Sequence, residues 1–118
     1  MVRLFILSTV MLSLFGLQPI DNVKVTGYCP GPPCVHPKWA DGITAAGTPA
    51  RYGVCAADWE VFPKGSLFEV EGYGRCRVED TGNAVRGKHL DLYFDTAEQA
   101  KEWGVKNMRV HYVGQEEL

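Results

Sequence analysis

The sequence lacks any concentration of positive charge. Its 12 Lys and Arg residues are scattered among 14 Asp and Glu residues, so the formal net charge is -2. Nucleic-acid binding normally needs a basic patch or stripe, and this balance argues against it. No basic face recurs at helical spacing either, which argues against an amphipathic helix lying on a membrane surface. We therefore expect a neutral or zwitterionic substrate.

The amino-terminal region lacks a long apolar run and a clear cleavage signal. An apolar stretch covers residues 4–17 after Arg3, which is the layout of a secretory signal but is short of the roughly 20 residues of a membrane span. No A-x-A-like triplet precedes Asp21, and no lipobox cysteine follows the stretch. Residues 1–20 are interpreted as a signal peptide or an uncleaved N-terminal anchor, the one membrane link that we expect. The protein is thus expected to be exported to the periplasm, the cell envelope or the medium.

Long helical patterns and internal repeats are also absent, whereas turn residues are abundant. The 13 Gly and 7 Pro among 118 residues favour many short strands and tight turns. Alternating and apolar stretches predict strands over residues 23–28, 52–57, 67–71, 75–80, 89–94 and 108–113. One short helix is expected over residues 97–103, capped by Asp95 or Thr96 and stopped by Gly104. These elements predict a single, mainly β domain over residues 22–114, followed by an acidic tail over residues 115–118.

Only four cysteines are present, and in a small exported domain they favour disulfides over free thiols. We expect Cys29 to pair with Cys34 inside one loop, and Cys55 with Cys76 between two strands. The alternative is a metal site formed by Cys29, Cys34 and His36. Its spacing is loose and a fourth ligand is missing, so no metal and no other cofactor is expected.

Two aspartates stand out on the predicted strands. In residues 75–80, alternation puts Asp80 on the same face as Cys76 and Val78, which we take as the core face. In residues 89–94, Leu90, Leu92 and Phe94 are expected to face the core, whereas His89, Asp91 and Tyr93 face away. Because glycoside cleavage normally uses two carboxyl groups in different environments, Asp80 and Asp91 are the candidate pair.

The string from Asp80 to Phe94 (DTGNAVRGKHLDLYF) resembles the signature of the three-aspartate (3D) domain, in which a D-T-G-x-A-I-x-G loop leads into a strand beginning I/L-D. Further matching strings follow the same order over residues 25–28, 41–48, 54–58, 62–66 and 98–104. The resemblance covers about residues 23–113. It implies a six-stranded double-psi β-barrel with one short helix, similar to the catalytic barrel of membrane-bound lytic transglycosylase A.

The resemblance also implies roles for individual residues. Asp91 matches the catalytic acid of the lytic transglycosylases, and Asp80 matches the aspartate that accompanies it. Asp58 matches the third aspartate, although a turn cap is the favoured interpretation of its position. Thr44 lies in the groove-lining G-I-T-A segment of the family, where its two alternative roles are to hydrogen-bond sugar or to hold the loop. Asp41, directly before this segment, is a further candidate for substrate binding.

Aromatic residues are the usual platforms on which sugar rings stack. Trp39 and Tyr93 are the candidates, with Tyr73 as a further one, and each has an alternative as a core residue. Trp39, inside a polar loop, is the one most readily assigned to a groove.

Three functions remain open from the sequence. The first is a peptidoglycan lytic transglycosylase that cleaves the MurNAc-GlcNAc bond of a glycan strand and leaves a 1,6-anhydro product, with Asp91 as general acid and then base. The second is a hydrolase resembling family-45 endoglucanases, with Asp41 or Asp58 as base. The third is a noncatalytic wall-binding module resembling expansins.

Overall fold

The computed structural model describes residues 17–31, 34 and 41–118. Six strands form a closed barrel, and one short helix follows the fifth strand, which confirms the predicted fold class. The strands are β1 (Gln18–Tyr28), β2 (Val54–Ala57), β3 (Ser66–Val70), β4 (Gly74–Asp80), β5 (His89–Tyr93) and β6 (Lys106–Gln115), and the helix is α1 (Ala97–Trp103).

The order of strands around the barrel is β1-β5-β2-β4-β3-β6. Two neighbouring pairs are parallel, β1 with β5 and β2 with β4, and the other four are antiparallel. Neither parallel pair is formed by strands that are consecutive in the chain, because parallel neighbours need a crossover connection. Strand β2, at the centre of β5-β2-β4, is therefore flanked by the two strands that carry Asp80 and Asp91.

Apolar side chains from all six strands fill the barrel interior. The largest fully buried ones include Phe68, Leu90 and Leu92. Cys55 on β2 and Cys76 on β4 form a disulfide inside this core, with their Cα atoms 5.7 Å apart, which confirms the predicted pair. The interior is thus closed both by packing and by a covalent link between two strands of the barrel.

A second apolar cluster covers one outer face of the barrel. It consists of Tyr28, Val54, Ala56, Val85 and Tyr93, with Cys34 and Ala50 packed against it. Part of its cover comes from the loop after β4, which contributes Val85. Both faces of β2 and β5 are consequently buried here, unlike the single buried face that simple alternation suggests.

Helix α1 begins and ends as the sequence predicts. The Thr96 hydroxyl accepts a hydrogen bond from the Gln99 backbone, the Gln99 side chain accepts one from the Thr96 backbone, and Gly104 ends the helix. A side chain on Gly27 would collide with the ring of Phe94, so glycine allows α1 and its flanking residues to lie close to β1. Within the described part of the chain, no helix is both long enough and apolar enough to cross a membrane.

The barrel extends beyond the predicted strand ends. Strand β1 begins at Gln18, five residues before its predicted start, and residues 18–20 pair with β6. The register shifts between Ile20 and Val23, where Asn22 adopts a positive φ of 59°. This bulge breaks the alternation by which a strand is recognised in the sequence. Residues 1–16 of the expected signal or anchor segment lie outside the described residues.

Candidate active site

A row of four side-chain positions crosses the barrel wall. Thr26 on β1 is paired with Asp91 on β5, Asp91 with Ala56 on β2, and Ala56 with Asp80 on β4. Neighbouring strands lie about 4.8 Å apart. The two aspartates are separated by strand β2, whose side chain at the paired position, Ala56, is only a methyl group. The backbone pairing alone thus brings both carboxyl groups to one surface.

Asp80 reaches this surface through a bulge in β4. The register with β2 shifts by one residue, because Cys55 pairs with Val78 whereas Ala56 pairs with Asp80. A bulge of this kind turns the following side chain to the other face. The expectation that Asp80 shares the core face of Cys76 and Val78 is therefore wrong, and Asp80 lies beside Ala56 at the second cluster.

Hydrogen bonds hold the Asp80 carboxylate in a fixed position. Its Oδ1 accepts from the backbone amides of Ala45 at 3.0 Å and of Thr81 at 2.9 Å. Its Oδ2 accepts from the hydroxyl of Tyr28 at 3.3 Å. Asp80 thus ties together the segment around residue 45, the loop after β4 and strand β1.

Asp91 is partly buried and has an unusual proton affinity. Burial raises its pKa from 3.8 to about 6, a hydrogen bond from Thr26 opposes the shift, and the negative charge of Asp80 reinforces it. The Thr26 hydroxyl lies 2.7 Å from Oδ1 of Asp91. A carboxyl group with a pKa near 6 can carry a proton and also release it near neutral pH, as a general acid and base requires.

Three neighbours of this pair were not identified from the sequence. Thr26 contacts Asp91, and its hydroxyl also lies 2.8 Å from Nε2 of His89. Tyr28 donates to Asp80, and burial followed by the charges of Asp80 and Asp91 raises its pKa well above the usual range, so its hydroxyl remains a donor. The sequence signal that could have identified Thr26 and Tyr28 is their polar side chains within a predicted strand, in the string VTGY over residues 25–28.

Both aspartates line one cavity of about 620 Å³. Its walls come from the segment around residues 41–45, from the loop over residues 81–85, and from the Cys29–Cys34 turn. Asp41 and Thr44 line it as well, so the structure brings together four of the predicted site residues. The cavity is large enough for a sugar residue, since ligand sites commonly occupy about 300 to 1,000 Å³.

Asp41 and Thr44 are both engaged in local hydrogen bonds. Asp41 is exposed and its Oδ1 accepts from the Ile43 backbone at 3.0 Å. Thr44 is 5% exposed, and its hydroxyl contacts that of Thr48 at 2.7 Å. Thr44 therefore stabilises its own turn beside the cavity, whereas Asp41 is exposed at the cavity wall.

The aromatic candidates are not displayed as expected. Tyr93 and Tyr73 are each only 6% exposed, Tyr93 packs edge-on against Tyr28, and Tyr73 stacks on Tyr52. Tyr93 and His89 lie on the face of β5 opposite to Leu90 and Leu92, as predicted, but both are buried there, Tyr93 within the second cluster and His89 beside Ala84 of the loop after β4. Trp39 and His36 lie outside the described residues.

Asp58 acts as a turn cap and does not line the cavity. Its Oδ1 accepts from the Glu60 backbone at 3.1 Å, and its Oδ2 accepts from the Gly87 backbone at 3.0 Å. The two backbone hydrogen bonds lower the pKa of Asp58, the one from Gly87 most. Its role is to fasten the end of the loop that runs from Asp80 to the start of β5.

A fully buried glutamate braces the same loops from behind. The Glu79 side chain is inaccessible to solvent and binds Arg51 at 2.9 Å, Arg77 at 2.8 Å and the Thr48 hydroxyl. Burial opposes ionisation, but these partners together lower the pKa of Glu79. Alternation puts Glu79 on the solvent side of β4, whereas Thr48, Arg51 and Arg77 cover it in the folded chain.

The Cys29–Cys34 disulfide, with Cα atoms 5.2 Å apart, is confirmed and forms part of the cavity rim. It uses both thiols of the alternative metal site, which that site would need as thiolates. Over residues 17–31, 34 and 41–118, no cluster of three or more His, Cys, Asp or Glu side chains is arranged to hold a metal ion.

Comparison with known proteins connects this site to a family. The sequence profile described as the 3D domain matches residues 53–114, more than half of the chain. Cell wall-binding protein YocH of Bacillus subtilis (strain 168) is 38% identical over 73 residues, covering 58% of this chain and 25% of YocH. YabE of the same organism, whose name describes cell wall shaping, is 37% identical over 98 residues, covering 80% of this chain and 22% of YabE. The chain thus spans about a quarter of the length of these relatives.

Solved structures with the same barrel are also known. MltA from E. coli matches with a TM-score of 0.50 and 23% identity, over 63% of this chain and 28% of MltA. An apo structure of a variant of the E. coli lytic transglycosylase MltA matches with a TM-score of 0.50 and 22% identity, over 64% and 28% of the two chains. At this identity the likeness concerns the fold alone.

Proposed function

Since this chain belongs to the 3D domain family, we propose that it is a peptidoglycan lytic transglycosylase in which Asp91 is first the general acid and then the general base. The substrate is a glycan strand, cleaved at the MurNAc-GlcNAc bond. The single observation that carries this proposal is the Asp91 carboxyl group, with its pKa raised to about 6, at the wall of a cavity of about 620 Å³.

The reaction needs only one group that exchanges a proton. Asp91 gives its proton to the glycosidic oxygen as the bond from that oxygen to C1 of MurNAc breaks, and the bonding electrons leave with the oxygen. The C6 hydroxyl oxygen of the same sugar then bonds to C1, and its proton goes to the Asp91 carboxylate. No water is consumed, the acid is regenerated, and the product carries a 1,6-anhydro ring.

Asp80 contributes charge and geometry in this scheme. Cleavage develops positive charge at C1, as in other glycoside reactions, and a fixed carboxylate beside the cavity would stabilise it. The two backbone donors to Asp80 support this role, because they hold its carboxylate in place before substrate binds. Asp80 also helps to keep Asp91 protonated through charge repulsion.

Two independent observations support cell-wall glycan as the partner and export as the location. The two B. subtilis relatives carry names that refer to the cell wall. Both described disulfides require an oxidising compartment for their persistence. We propose that the apolar part of residues 1–20 directs export as a signal peptide or anchor. Because residues 18–20 pair with β6 and β6 ends at Gln115, we further propose that the 3D domain, expected over residues 22–114, begins at Gln18 and ends at Gln115.

Wall binding without cleavage is the second candidate, and the name of YocH favours it. A hydrolase would need a carboxylate base for a water molecule. Asp58 is poorly suited to that role because both of its oxygens accept backbone hydrogen bonds, whereas Asp41 lines the cavity. The three functions can be told apart by the sugar ends that they release: 1,6-anhydro ends from a transglycosylase, reducing ends from a hydrolase, and none from a binding module.

The deciding experiment incubates the full chain with purified peptidoglycan and identifies the released ends by mass spectrometry. We expect muropeptides ending in 1,6-anhydro MurNAc, each lighter by one water than a reducing end. Release of reducing ends alone would favour the hydrolase, and cosedimentation with the wall without any release would favour the binding module. Asp91→Asn in the same assay identifies any contaminating activity.

A further inference from the structure

Next to Asp91 lies a short chain of hydrogen-bonding groups that the proposed reaction does not itself require. The Thr26 hydroxyl lies 2.7 Å from Oδ1 of Asp91 and 2.8 Å from Nε2 of His89. His89 and Asp91 are two residues apart on β5, and Thr26 reaches both from the neighbouring strand β1. His89 is only 6% exposed, so its ring depends on these neighbours for hydrogen bonds.

The His89 ring is held from a second side. Burial lowers its pKa, the charge of Lys24 lowers it further, and a hydrogen bond to the Ala84 backbone opposes both. Because that contact favours the charged ring, it involves the carbonyl oxygen of Ala84. A neutral histidine has one N–H, and when this proton is used on the Ala84 carbonyl, Nε2 is left as an acceptor facing Thr26.

The hydroxyl proton of Thr26 then has two possible acceptors, Oδ1 of Asp91 and Nε2 of His89. A threonine hydroxyl donates one hydrogen bond and can accept others. While Asp91 holds its proton, it can donate to Thr26, and Thr26 can donate to His89, so all groups are satisfied. Once Asp91 is a carboxylate, the Thr26 proton is drawn to it, and His89 loses its donor.

We propose that Thr26 and His89 form a hydrogen-bond relay that controls how readily Asp91 gives up its proton, with His89 acting as a positioning residue through the Thr26 hydroxyl. The effect of the relay on the Asp91 proton does not depend on the proposed function; only its use in catalysis rests on that function. The other ionisable groups that face this trio from the described strands are Lys24 and Tyr28 on β1 and Asp80 on β4.

The two members of the relay affect Asp91 in opposite directions. Thr26→Val removes the donor to the carboxylate, so the pKa of Asp91 rises. His89→Phe removes the competing acceptor and leaves the Thr26 proton to Asp91, so the pKa falls. Each change should amount to about one pH unit, because a net hydrogen bond contributes about as much free energy as one pKa unit represents. In the double variant the effect of His89→Phe should vanish, because His89 acts only through Thr26.

The test is a pH titration of the Asp91 carboxyl carbon by ¹³C NMR in the full chain, with Asp91→Asn used to assign the signal. His111→Phe on β6 is the matched control and should leave the titration unchanged. A rise or no change in His89→Phe would overturn the relay, since a rise would mean that His89 acts through space as a charge. A fall that persists in the double variant would overturn it as well.

Two further measurements keep the test decisive if His89→Phe does not fold. His89→Gln retains an acceptor oxygen, so its Asp91 titration should stay close to that of the parent. In the parent, ¹⁵N spectra of the neutral His89 ring should show an unprotonated Nε2 while Asp91 holds its proton, and a proton fixed on Nε2 there would overturn the relay. These readouts need no turnover, so they hold even if the parent cleaves nothing. If the parent does cleave peptidoglycan, the alkaline limb of its pH profile should move to lower pH in His89→Phe.

Discussion

Asp80 and Asp91 are paired with the same residue, Ala56, from its two opposite sides. The carboxyl groups therefore share one face of the barrel with only a methyl group between them. Neither pairing is formed by strands that are consecutive in the chain, since β5 and β4 flank β2. The two carboxyl groups thus come together only when β2 pairs with both β4 and β5. Each residue of the site can be substituted separately to test its role.

Asp91→Asn should abolish peptidoglycan cleavage while retaining the shape of the side chain. Loss of a general acid or base typically lowers the rate by about 10²- to 10⁴-fold, and here one group fills both roles, so the loss should reach the upper end. Release of 1,6-anhydro muropeptides measures the effect. Asp95→Asn, an exposed neighbour, is the control and should retain the parental rate. Near-parental turnover in Asp91→Asn would contradict the assigned role.

The same substitution should stabilise the protein at neutral pH. The pKa of Asp91 is about 6 in the folded chain against 3.8 for an ordinary aspartate, so the folded state binds the proton more tightly. Stability contributed by this group is present below the unfolded value and is lost as pH rises through the folded one. Asp91→Asn should therefore gain up to about 3 kcal/mol at pH 7 and little at pH 4. Urea unfolding at both pH values tests this, and a variant less stable than the parent at pH 7 would refute it.

Asp80→Asn should impair both stability and activity. An amide has a single acceptor oxygen, and loss of the charge weakens the bonds from Ala45 and Thr81, at a cost of about 1 to 3 kcal/mol. It also removes a charge that raises the pKa of Asp91, so that pKa should fall. Thermal unfolding and the Asp91 titration report the two effects separately. Asp21→Asn, on an exposed ion pair with Arg109, should leave the Asp91 titration unaltered.

Ala56→Val should obstruct the cavity while leaving both Asp80 and Asp91 in the sequence. The added methyl groups would project between the two carboxyl groups, and overpacking of a buried site typically costs about 1 to 3 kcal/mol. Ala57→Val is the matched control, because Ala57 is equally buried but faces the barrel core. We expect similar losses in melting temperature from both variants and a loss of glycan cleavage in Ala56→Val alone. Equal cleavage by the two variants would show that the space beside Ala56 is not used.

Glu79→Gln should destabilise the protein strongly, because it leaves two arginines without their buried partner. Breaking a buried ion pair costs about 3 to 5 kcal/mol, and the partial exposure of Arg51 and Arg77 should reduce this to about 2 to 3. The control is Glu69→Gln in a partly exposed pair with Arg75, where about 0 to 1 kcal/mol is expected.

The pH dependence gives a second check on Glu79. Its lowered pKa contributes stability that is present above the unfolded value of about 4.5 and is lost as pH falls through the folded value. Denaturant unfolding of the parent and of Glu79→Gln should therefore converge as the pH is lowered. A difference that stays constant down to pH 3 would show that the charge of Glu79 is not responsible.

The sequence by itself determined the barrel's parts. Alternation and turn residues located all six strands, Asp95 or Thr96 and Gly104 marked the two ends of the helix, and both cysteine pairs followed from position and compartment. These features are local, since each depends on residues a few positions apart or on a pattern along one strand. Alternation over residues 89–94 likewise put Asp91 on the face of β5 opposite to Leu90 and Leu92.

Only the tertiary structure decided which of the alternating faces are covered. The bulge that turns Asp80 toward Ala56 depends on the register between β4 and β2, and the burial of Glu79, His89 and Tyr93 depends on loops that fold over the barrel from elsewhere in the chain. Alternation separates the two faces of a strand but does not say what packs on either one. The raised pKa of Asp91 has the same origin, because desolvation arises from neighbours that lie far away in sequence and meet when the barrel closes.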